Sequence, residues 1–364
     1  MLKQIFFTPG PSQLYPTVPQ HLQNAIREHI GSISHREKKF QMIFKEMKES
    51  LIDVLNIPPD YEIFITSSAT EIWERIIQNL IINSSHHFIN GSFSQRFYNF
   101  TSAYKLNSTS QISNFNQEFD NFKVPNSAEL ISITQNETSI GYTFNPAEIK
   151  KIRENNPNKL VALDLVSAVP ATPVDLNLVD TAYFSVQKCF GLPAGMGVWI
   201  VGPKCFEVSK EKESKNKIVG SYHSLSELKK SGDRNQTPET PNILSLYLLK
   251  NVLRDMQYKG IQSIQNETKY KSALIYQMFD QTSELQAIIP QLLNRSKTVC
   301  VSEVVGENKG LIEYLKSKEI IIGSGYGNFK NQHIRIANFP AHSKESIEML
   351  VDEIGKYFDD KLTG

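Results

Sequence analysis

Short apolar segments alternate with helix-like segments through the first two thirds of the chain, and this alternation limits the possible fold more than any other feature. Residues 69–82 place four aliphatic side chains on one helical face, and a second helix is predicted at residues 94–105. The apolar segments predicted as strands are residues 61–65, 87–90, 130–134, 160–163 and 182–186. Strands that are apolar along their whole length predict a largely parallel sheet covered by helices on both faces. Ligands of such sheets bind outside the carboxyl ends of the strands.

The last third of the chain has a different order of elements. Long helices are predicted at residues 243–258 and 267–282, followed by a strand at 298–304, a helix at 309–317 and a strand at 333–338. A closing helix begins at Ser343, a favourable N-cap residue. We therefore predict a large domain over residues 12–250 and a smaller α+β domain over residues 251–364 together with residues 1–11.

Acidic and basic residues almost cancel, since 39 Lys and Arg accompany 38 Asp and Glu, for a formal net charge of +1. This balance favours neither a nucleic acid nor a membrane surface as partner, and we predict neither. No run of about 18 apolar residues predicts a membrane span, and residues 1–11 lack the pattern of a secretory signal. Cys189, Cys205 and Cys300 lack metal-ligand spacing, so we expect a cytoplasmic protein without a metal site.

Lys188 lies between two apolar segments, residues 182–186 and 198–201, and is followed at once by a turn rich in Gly and Pro. The pattern predicts a strand, a lysine, a tight turn and a second strand. Burial between strands lowers the pKa of a lysine, and a neutral amine at the edge of a sheet is what Schiff-base chemistry requires. A surface lysine in a hairpin turn is the alternative for this segment taken alone.

Two further segments place suitable groups at a strand end. Residues 66–70 connect a strand to a helix N-terminus, where free N–H groups, the helix dipole and three hydroxyls favour a phosphate. An ordinary N-cap at Ser67 or Ser68 is the alternative. Asp164 ends the strand at residues 160–163, and its carboxylate suits the protonated ring nitrogen of pyridoxal phosphate. A turn-forming Asp is the alternative there.

Arg335 lies on the predicted strand at residues 333–338 and faces away from Ile334 and Ile336 by strand alternation. An arginine in such a position suits bidentate binding of a carboxylate. A structural ion pair with an Asp or Glu is equally compatible with the sequence, and the residue alone does not separate the two.

Seven short motifs follow one another along the chain. They are Ser34-His-Arg36, Gly91-Ser-Phe-Ser94, Asn136-Glu-Thr138, Asp164-Leu-Val-Ser167, Val186-Gln-Lys188, Asn235-Gln-Thr-Pro238 and Ile334-Arg335. Together they resemble the class V aminotransferases, pyridoxal-phosphate enzymes of fold type I, and within that family the phosphoserine aminotransferase branch most. The resemblance covers nearly the whole chain. It implies a mostly parallel seven-stranded sheet between helices, with a smaller α+β C-terminal domain.

The resemblance also implies the cofactor, pyridoxal 5′-phosphate, and the residues around it. Lys188 would bind it as a Schiff base and act as the catalytic base, while Asp164, supported by Ser167, would pair with the pyridine nitrogen. Phe93 would stack on the ring where this branch usually has a tryptophan, and Thr138 would contact the phenolic oxygen or its surroundings. The residues implied at the cofactor phosphate are Ser68, Ala69, Thr70 and Gln187, with Asn235 and Thr237 from a neighbouring subunit.

The substrate site implied by the resemblance consists of Gly10, His35, Arg36 and Arg335. Arg335 would bind the α-carboxylate, whereas His35 and Arg36 would lie near the side-chain phosphate and come from the partner subunit of a homodimer with shared active sites. The phosphoserine branch also has a His-Arg pair shortly before the carboxylate arginine, and residues 326–332 lack it. Lys330 could supply charge there, although as a point charge rather than a bidentate group.

The expected reaction is a ping-pong transamination between small-molecule amino acids and 2-oxo acids, from phosphoserine to 2-oxoglutarate in serine biosynthesis. An alanine- or serine-glyoxylate type aminotransferase is the alternative, favoured by Asp164-Leu-Val-Ser167. A cysteine desulfurase-like lyase is less compatible, because Gln187 rather than a histidine precedes the lysine and Cys300 falls in a predicted strand. A non-catalytic dimeric binding protein of this fold is a further alternative, against which the presence of Lys188, Asp164 and Arg335 argues.

Overall fold

The computed structural model describes residues 4–113, 117, 119 and 121–363, so residues 1–3 and 364 of the predicted small domain lie outside the described residues. The strands are β1 (Ile5–Phe7), β2 (Glu62–Thr66), β3 (Ser85–Ile89), β4 (Thr109–Ile112), β5 (Leu130–Thr134), β6 (Asn136–Glu137), β7 (Tyr142–Thr143), β8 (Leu160–Asp164), β9 (Thr181–Ser185), β10 (Gly197–Val201), β11 (Leu285–Ala287), β12 (Val299–Val304), β13 (Ile320–Ser324) and β14 (His333–Ala337). The helices are α1 (Val18–Arg27), α2 (Lys38–Leu55), α3 (Ala69–Leu80), α4 (Ser92–Ala103), α5 (Pro146–Asn155), α6 (Pro203–Ser214), α7 (Leu225–Gly232), α8 (Ile243–Lys259), α9 (Ile261–Gln281), α10 (Lys309–Ser317) and α11 (Lys344–Thr363).

Seven strands form the large sheet, in the order β2-β10-β9-β8-β5-β3-β4. Strand β10 runs antiparallel to both of its neighbours, and the other four pairs are parallel. The five strands between the edge strands β2 and β4 are buried along their whole length. The predicted mostly parallel, seven-stranded sheet is therefore confirmed.

Both faces of this sheet are covered, and successive residues of one strand reach opposite faces. In β9, Phe184 belongs to an apolar cluster that includes side chains of α2 and α8, whereas Tyr183 belongs to a second cluster with α3. Strand β10 alternates in the same way, with Val198 in the first cluster and Trp199 in the second. Burial on both faces explains why these strands are apolar at every position.

A smaller sheet of five strands has the order β1-β13-β14-β12-β11. Strand β1 is parallel to β13, and the remaining pairs are antiparallel. Its own apolar cluster joins Phe7 of β1 and Ile334 of β14 to side chains of α9, α10 and α11. Strand β1 thus pairs with β13, a strand from the last third of the chain. The division at residues 12–250 and 251–364 stays a prediction.

The predicted elements agree with the structure in type and differ mainly at their ends. The helix predicted at residues 267–282 begins earlier, at Ile261, because Gly260 alone, with φ 86°, separates α8 from α9. Edge strand β4 is not predicted, since its sequence Thr-Ser-Gln-Ile is mostly polar and only partly buried. Within residues 4–113 and 121–363, no helix combines the length and the apolar character needed to cross a membrane.

A fully buried carboxylate joins the short strand β6 to the start of α4. Glu137 accepts hydrogen bonds from the backbone N–H groups of Phe93 and Ser94 and from the hydroxyls of Ser94 and Ser139, at 2.6–3.3 Å. The N–H groups of a first helical turn lack partners within the helix and favour a negative charge. Gly91 leaves the room for this carboxylate, because a Cβ there would lie 2.4 Å from the Cγ of Glu137. A buried charge therefore determines where Phe93 stands.

Replacing this carboxylate tests how far the fold depends on it. We expect Glu137→Gln to lower the free energy of unfolding by about 2–4 kcal/mol, because charge-assisted hydrogen bonds are lost and an amide N–H₂ then faces other donors. Denaturant titration measures the change. Glu313→Gln in α10 is the control, since that side chain is 66% exposed and should cost less than about 0.5 kcal/mol. Equal losses in the two variants would contradict the expectation.

Candidate active site

A cavity of about 570 Å³ opens between the carboxyl ends of the large sheet and the strands β13 and β14 of the small sheet. Thr134, Asp164 and Ser185, the last residues of β5, β8 and β9, all line it, as expected for a parallel sheet. The predicted site residues that line the cavity are Gly10, Ala69, Thr70, Phe93, Thr138, Asp164, Gln187, Lys188 and Arg335. Those outside its lining are His35, Arg36, Ser68, Ser167, Asn235 and Thr237.

Lys188 follows β9 in the turn before β10, so the predicted strand, lysine, turn and strand are confirmed. The residue is buried, and its Nζ donates a 2.9 Å hydrogen bond to Thr138 Oγ1 and stands 5.3 Å from the centre of the Phe93 ring. Burial lowers the pKa of Lys188, and the negative charge of Asp164 partly offsets this. Gly10 leaves space beside the amine, because a Cβ there would lie 2.9 Å from the lysine Cε.

A series of hydrogen bonds determines that the Thr138 hydroxyl accepts, rather than donates, in its contact with Lys188. Ser167 Oγ donates to the carbonyl oxygen of Asn136 at 3.0 Å and accepts from Asn136 Nδ2 at 2.7 Å. Thr138 Oγ1 then donates to Ser167 Oγ at 2.9 Å, which leaves an oxygen lone pair for Lys188. The hydroxyl of Ser167 therefore bonds to Asn136 and Thr138, rather than supporting Asp164 as the sequence analysis expected.

Asp164 is buried at the end of β8, and its Oδ1 accepts a 2.9 Å hydrogen bond from the backbone N–H of Val166. Burial raises the pKa of Asp164, while this hydrogen bond, the charge of Lys188 and a hydrogen bond with the Tyr183 hydroxyl act in the opposite direction. The carboxylate thus retains acceptor capacity toward the cavity after these donors are counted.

The start of α3 forms another wall of the cavity. Ser68 is its N-cap and accepts a 3.1 Å hydrogen bond from the N–H of Glu71, which confirms the N-cap alternative for this serine. The N–H of Ala69 donates to Ser185 Oγ at 2.9 Å, and Thr70 faces the cavity. Gly197 of β10 lies against this turn, since a Cβ there would be 2.5 Å from the carbonyl carbon of Ser68. A helix N-terminus at a cavity wall is suited to a phosphate group.

Arg335 reaches the cavity from β14 of the small sheet, whereas Lys188 reaches it from the large sheet. Its Nε donates to the carbonyl oxygen of Ser324 at 2.8 Å, and the ring of Tyr326 lies 5.3 Å from its guanidinium carbon. Burial lowers the pKa of Arg335 to about 10, so the group remains positively charged at neutral pH. No carboxylate pairs with it among the residues that the structure describes, so the structural ion pair considered for this arginine is not formed there.

Four predicted site residues lie together in a different place. Arg36 Nη1 donates to Gln236 Oε1 at 3.0 Å, and His35 Nδ1 lies 3.2 Å from Thr240 Oγ1. Asn235 and Thr237 flank Gln236 on the same segment. Residues 35–36 and 235–240 therefore lie together in one region, which we call the 35/235 surface, where Arg36 is exposed, Asn235 is half-buried and Thr237 is buried. None of its four predicted site residues lines the cavity.

Two aromatic residues of the cavity are absent from the sequence-based site. Trp73 of α3 lines it, and so does Tyr326, whose ring centre is 5.4 Å from that of Phe93. In the sequence Trp73 is one more apolar residue on a helix, whereas Tyr326 lies in the Gly-rich segment before β14 that the sequence analysis did not assign to the site. Lys330 is exposed and does not line the cavity. Among the described residues, no group of three or more His, Cys, Asp and Glu could hold a metal ion.

Comparison with known proteins connects this geometry to a family. The chain matches the family model described as Aminotransferase class-V over residues 5–337. A solved phosphoserine aminotransferase from Cytophaga hutchinsonii has a TM-score of 0.95 and 40% identity to it, covering 98% of this chain and 99% of its own. The phosphoserine aminotransferase of Corynebacterium glutamicum is 25% identical over 96% of this chain and 93% of its own length. An aspartate aminotransferase from Thermus thermophilus, at 21% identity, shares the fold with a TM-score of 0.85 over 98% of this chain and 99% of its own.

The cavity fits the cofactor of this family. A buried amine, a buried carboxyl and a helix N-terminus face one space, and they match the aldehyde, the ring nitrogen and the phosphate of pyridoxal 5′-phosphate. The family model spans almost the whole chain and both sheets. The chain belongs to the class V aminotransferase family and is a pyridoxal-phosphate-dependent transaminase.

Proposed function

We propose that this transaminase transfers the amino group of phosphoserine to 2-oxoglutarate, in serine biosynthesis. The observation that carries the proposal is the guanidinium of Arg335, which shares the cavity with Lys188 and pairs with no carboxylate in the described part of the chain. Such a group suits the α-carboxylate of an amino acid whose amino group lies at Lys188. The relatives at 40% and 25% identity are named phosphoserine aminotransferases, which supports this amino donor.

Pyridoxal 5′-phosphate, when bound, supplies an electron-withdrawing ring that stabilises negative charge at the α-carbon of the amino acid. Lys188 would attach it and Asp164 would keep its ring nitrogen protonated. Phe93, fixed in position through Glu137, would cover one face of the ring, with Thr138 near the phenolic oxygen. The groups proposed for the phosphate are Ser68, Ala69, Thr70 and Gln187. Ser167 would act through Thr138.

Lys188 has a second proposed role, as the base that moves the proton of the donor's α-carbon. Burial lowers its pKa, which favours a neutral amine able to accept that proton. The oxygen lone pair of Thr138 that faces Nζ would hold the amine at the cavity wall between proton transfers. Arg335 would keep the donor carboxylate in place during the same step, so that the α-carbon stays within reach of the lysine.

The side-chain phosphate of the donor needs a positive group beyond those of one cavity. Among the described residues, the cations that line the cavity are Lys188 and Arg335, and both are assigned to other parts of the substrate or the cofactor. We therefore propose a homodimer in which His35 and Arg36 of one subunit reach the donor phosphate in the other. Asn235 and Thr237 of the same 35/235 surface would reach the cofactor phosphate there.

A second candidate is an alanine- or serine-glyoxylate type transamination. It is favoured by the observation that the described residues lining the cavity include no cation besides Lys188 and Arg335 that could bind a phosphate. A cysteine desulfurase-like lyase has less support, because Cys189 and Cys300 are buried and burial raises the pKa of each thiol to about 12. The three free cysteines are compatible with the cytoplasmic location that we also propose.

Two lysine variants, at Lys188 in the cavity and at Lys330 on the surface, test whether the amine in the cavity is needed for the reaction. We expect Lys188→Ala to abolish the visible absorption band of the covalently bound cofactor and to slow transamination by about 10²–10⁴-fold, because the general base is lost. Lys330→Ala is the matched control and should stay within about twofold of the unchanged enzyme, since Lys330 is exposed outside the cavity. The measurement is the absorbance change on adding phosphoserine, serine, alanine, glutamate or cysteine. Bleaching by alanine or serine and not by phosphoserine or glutamate would refute the proposed donor.

The proposed carboxylate contact predicts a specific kinetic defect. We expect Arg335→Lys to lower kcat/KM for every amino donor by roughly 10–100-fold, because an ammonium group replaces one bidentate contact by a point charge. Steady-state kinetics with phosphoserine and glutamate measure this loss. A defect confined to phosphoserine would instead assign Arg335 to the side-chain phosphate.

Shared active sites can be tested by mixing two defective subunits. Lys188→Ala and Arg36→Ala each damage a different half of every site, so each variant alone should be weakly active with phosphoserine. After denaturation and joint refolding in equal amounts, about a quarter of the unchanged activity should return, because half of the dimers are mixed and each has one intact site. No recovery, with dimers present, would exclude the shared site. The control uses alanine as the amino donor. Alanine has no phosphate, so Arg36→Ala should transaminate it at the rate of the unchanged enzyme.

A further inference from the structure

Tyr183 stands beside Asp164 on the neighbouring strand of the large sheet. The two residues are register partners in the parallel pair β8 and β9, so their side chains project from the same face. Tyr183 is 1% exposed, and its hydroxyl acts on the neighbouring Asp164 carboxyl, lowering the pKa of that group against the larger effect of burial. Asp164 lines the cavity and Tyr183 does not, so the tyrosine lies beside the carboxyl group but outside the cavity wall.

Trp73 determines the direction in which the Tyr183 hydroxyl donates. Its Nε1 lies 2.8 Å from the Tyr183 hydroxyl oxygen, and both side chains are buried. An indole N–H can only donate, so the tyrosine oxygen accepts from Trp73 and its single proton is left for Asp164. Burial raises the pKa of Tyr183 well above its usual value, which keeps that proton on the hydroxyl.

We propose that Tyr183, oriented by Trp73, is a positioning residue that keeps Asp164 a charged acceptor for the ring nitrogen of the cofactor. Two donors, the Val166 N–H and the Tyr183 hydroxyl, would stabilise the carboxylate against its burial and leave one acceptor direction toward the cavity. The other charged groups that act on Asp164 are Lys188 and Glu137, which the test leaves unchanged. The inference rests on the proposed role of Asp164.

The test compares holoenzymes that carry Tyr183→Phe, Trp73→Phe or Asp164→Asn. The readouts are the pH midpoint of the visible absorption band of the bound cofactor and the dissociation constant for pyridoxal phosphate added back to the cofactor-free protein. We expect Tyr183→Phe to raise the midpoint by about half a pH unit or more, because a less protonated ring nitrogen withdraws less charge from the Lys188 nitrogen. The dissociation constant should rise by roughly three- to tenfold. The kcat should fall, while KM for the donor stays within about twofold, since the donor does not touch Tyr183.

Tyr142→Phe is the matched control. Tyr142 is also 1% exposed, and its hydroxyl accepts a 3.0 Å hydrogen bond from Asn294, outside the cavity lining. This variant loses a buried hydroxyl without altering Asp164, so its midpoint and dissociation constant should equal those of the unchanged enzyme. A merely structural effect of losing a tyrosine hydroxyl would move both variants alike, and that result would overturn the proposal.

Trp73→Phe keeps the tyrosine but removes the donor that directs its proton. We expect Trp73→Phe to shift the midpoint in the same direction by a smaller amount. This variant keeps the proposal testable if Tyr183→Phe fails to fold. An unchanged midpoint in folded Tyr183→Phe or in Trp73→Phe overturns the inference when Asp164→Asn does shift it. An unchanged midpoint in Asp164→Asn would instead refute the proposed role of Asp164 itself. The midpoint and the dissociation constant are measured without an amino donor, so they do not depend on which donor the enzyme uses.

Discussion

Lys188 and Asp164 lie at the ends of adjacent strands, where both are removed from water and each acts on the charge of the other. Burial alone would favour a neutral amine and a neutral acid, and their mutual attraction opposes both tendencies. Strands β8 and β9 are buried throughout, so the positions of both residues follow from the packing of the sheet.

Hydrogen-bond direction then distinguishes the surroundings of the two residues. Around Lys188, Asn136 and Ser167 leave Thr138 as an acceptor that faces the amine. Around Asp164, Trp73 leaves Tyr183 as a donor that faces the carboxyl. In both cases a hydrogen bond one step removed from Lys188 or Asp164 determines the polarity of the hydroxyl next to that residue. The cavity thus has the amine of Lys188 beside an acceptor and the carboxyl group of Asp164 beside a donor.

The small sheet contributes a guanidinium group to the cavity. Arg335 reaches the cavity from β14, and its guanidinium, which pairs with no carboxylate among the described residues, adds a positive charge to the cavity that Lys188 also lines. Tyr326 packs against both Arg335 and Phe93, so one aromatic ring links the small sheet to the large one at the cavity rim. The 35/235 surface lies outside this cavity, which is why we assign its residues to a neighbouring subunit.

Much of the fold could be predicted because burial on both faces leaves a strong local signal. Continuous apolar strands between helices indicated the parallel sheet, and the carboxyl ends of such strands indicated where Asp164 and Lys188 would meet. The edge strand β4 has no such signal, since it is polar and partly exposed. Ser167 was expected to support Asp164, whereas its hydroxyl bonds to Asn136 and Thr138. Sequence spacing does not specify the direction in which a hydroxyl bonds.

The sequence by itself determined the type of the large sheet and the order of most of its strands, because these depend on local patterns of burial. It also indicated Lys188 and Asp164 as candidate reactive residues near the strand ends. Only the tertiary structure decided that Trp73 meets Tyr183, 110 residues away, and that Arg335 has no acidic partner in the described chain. It also separated Lys330 and the 35/235 surface from the cavity. Such contacts join segments far apart in the chain, and their distances and hydrogen-bond directions arise only when helices and sheets pack together.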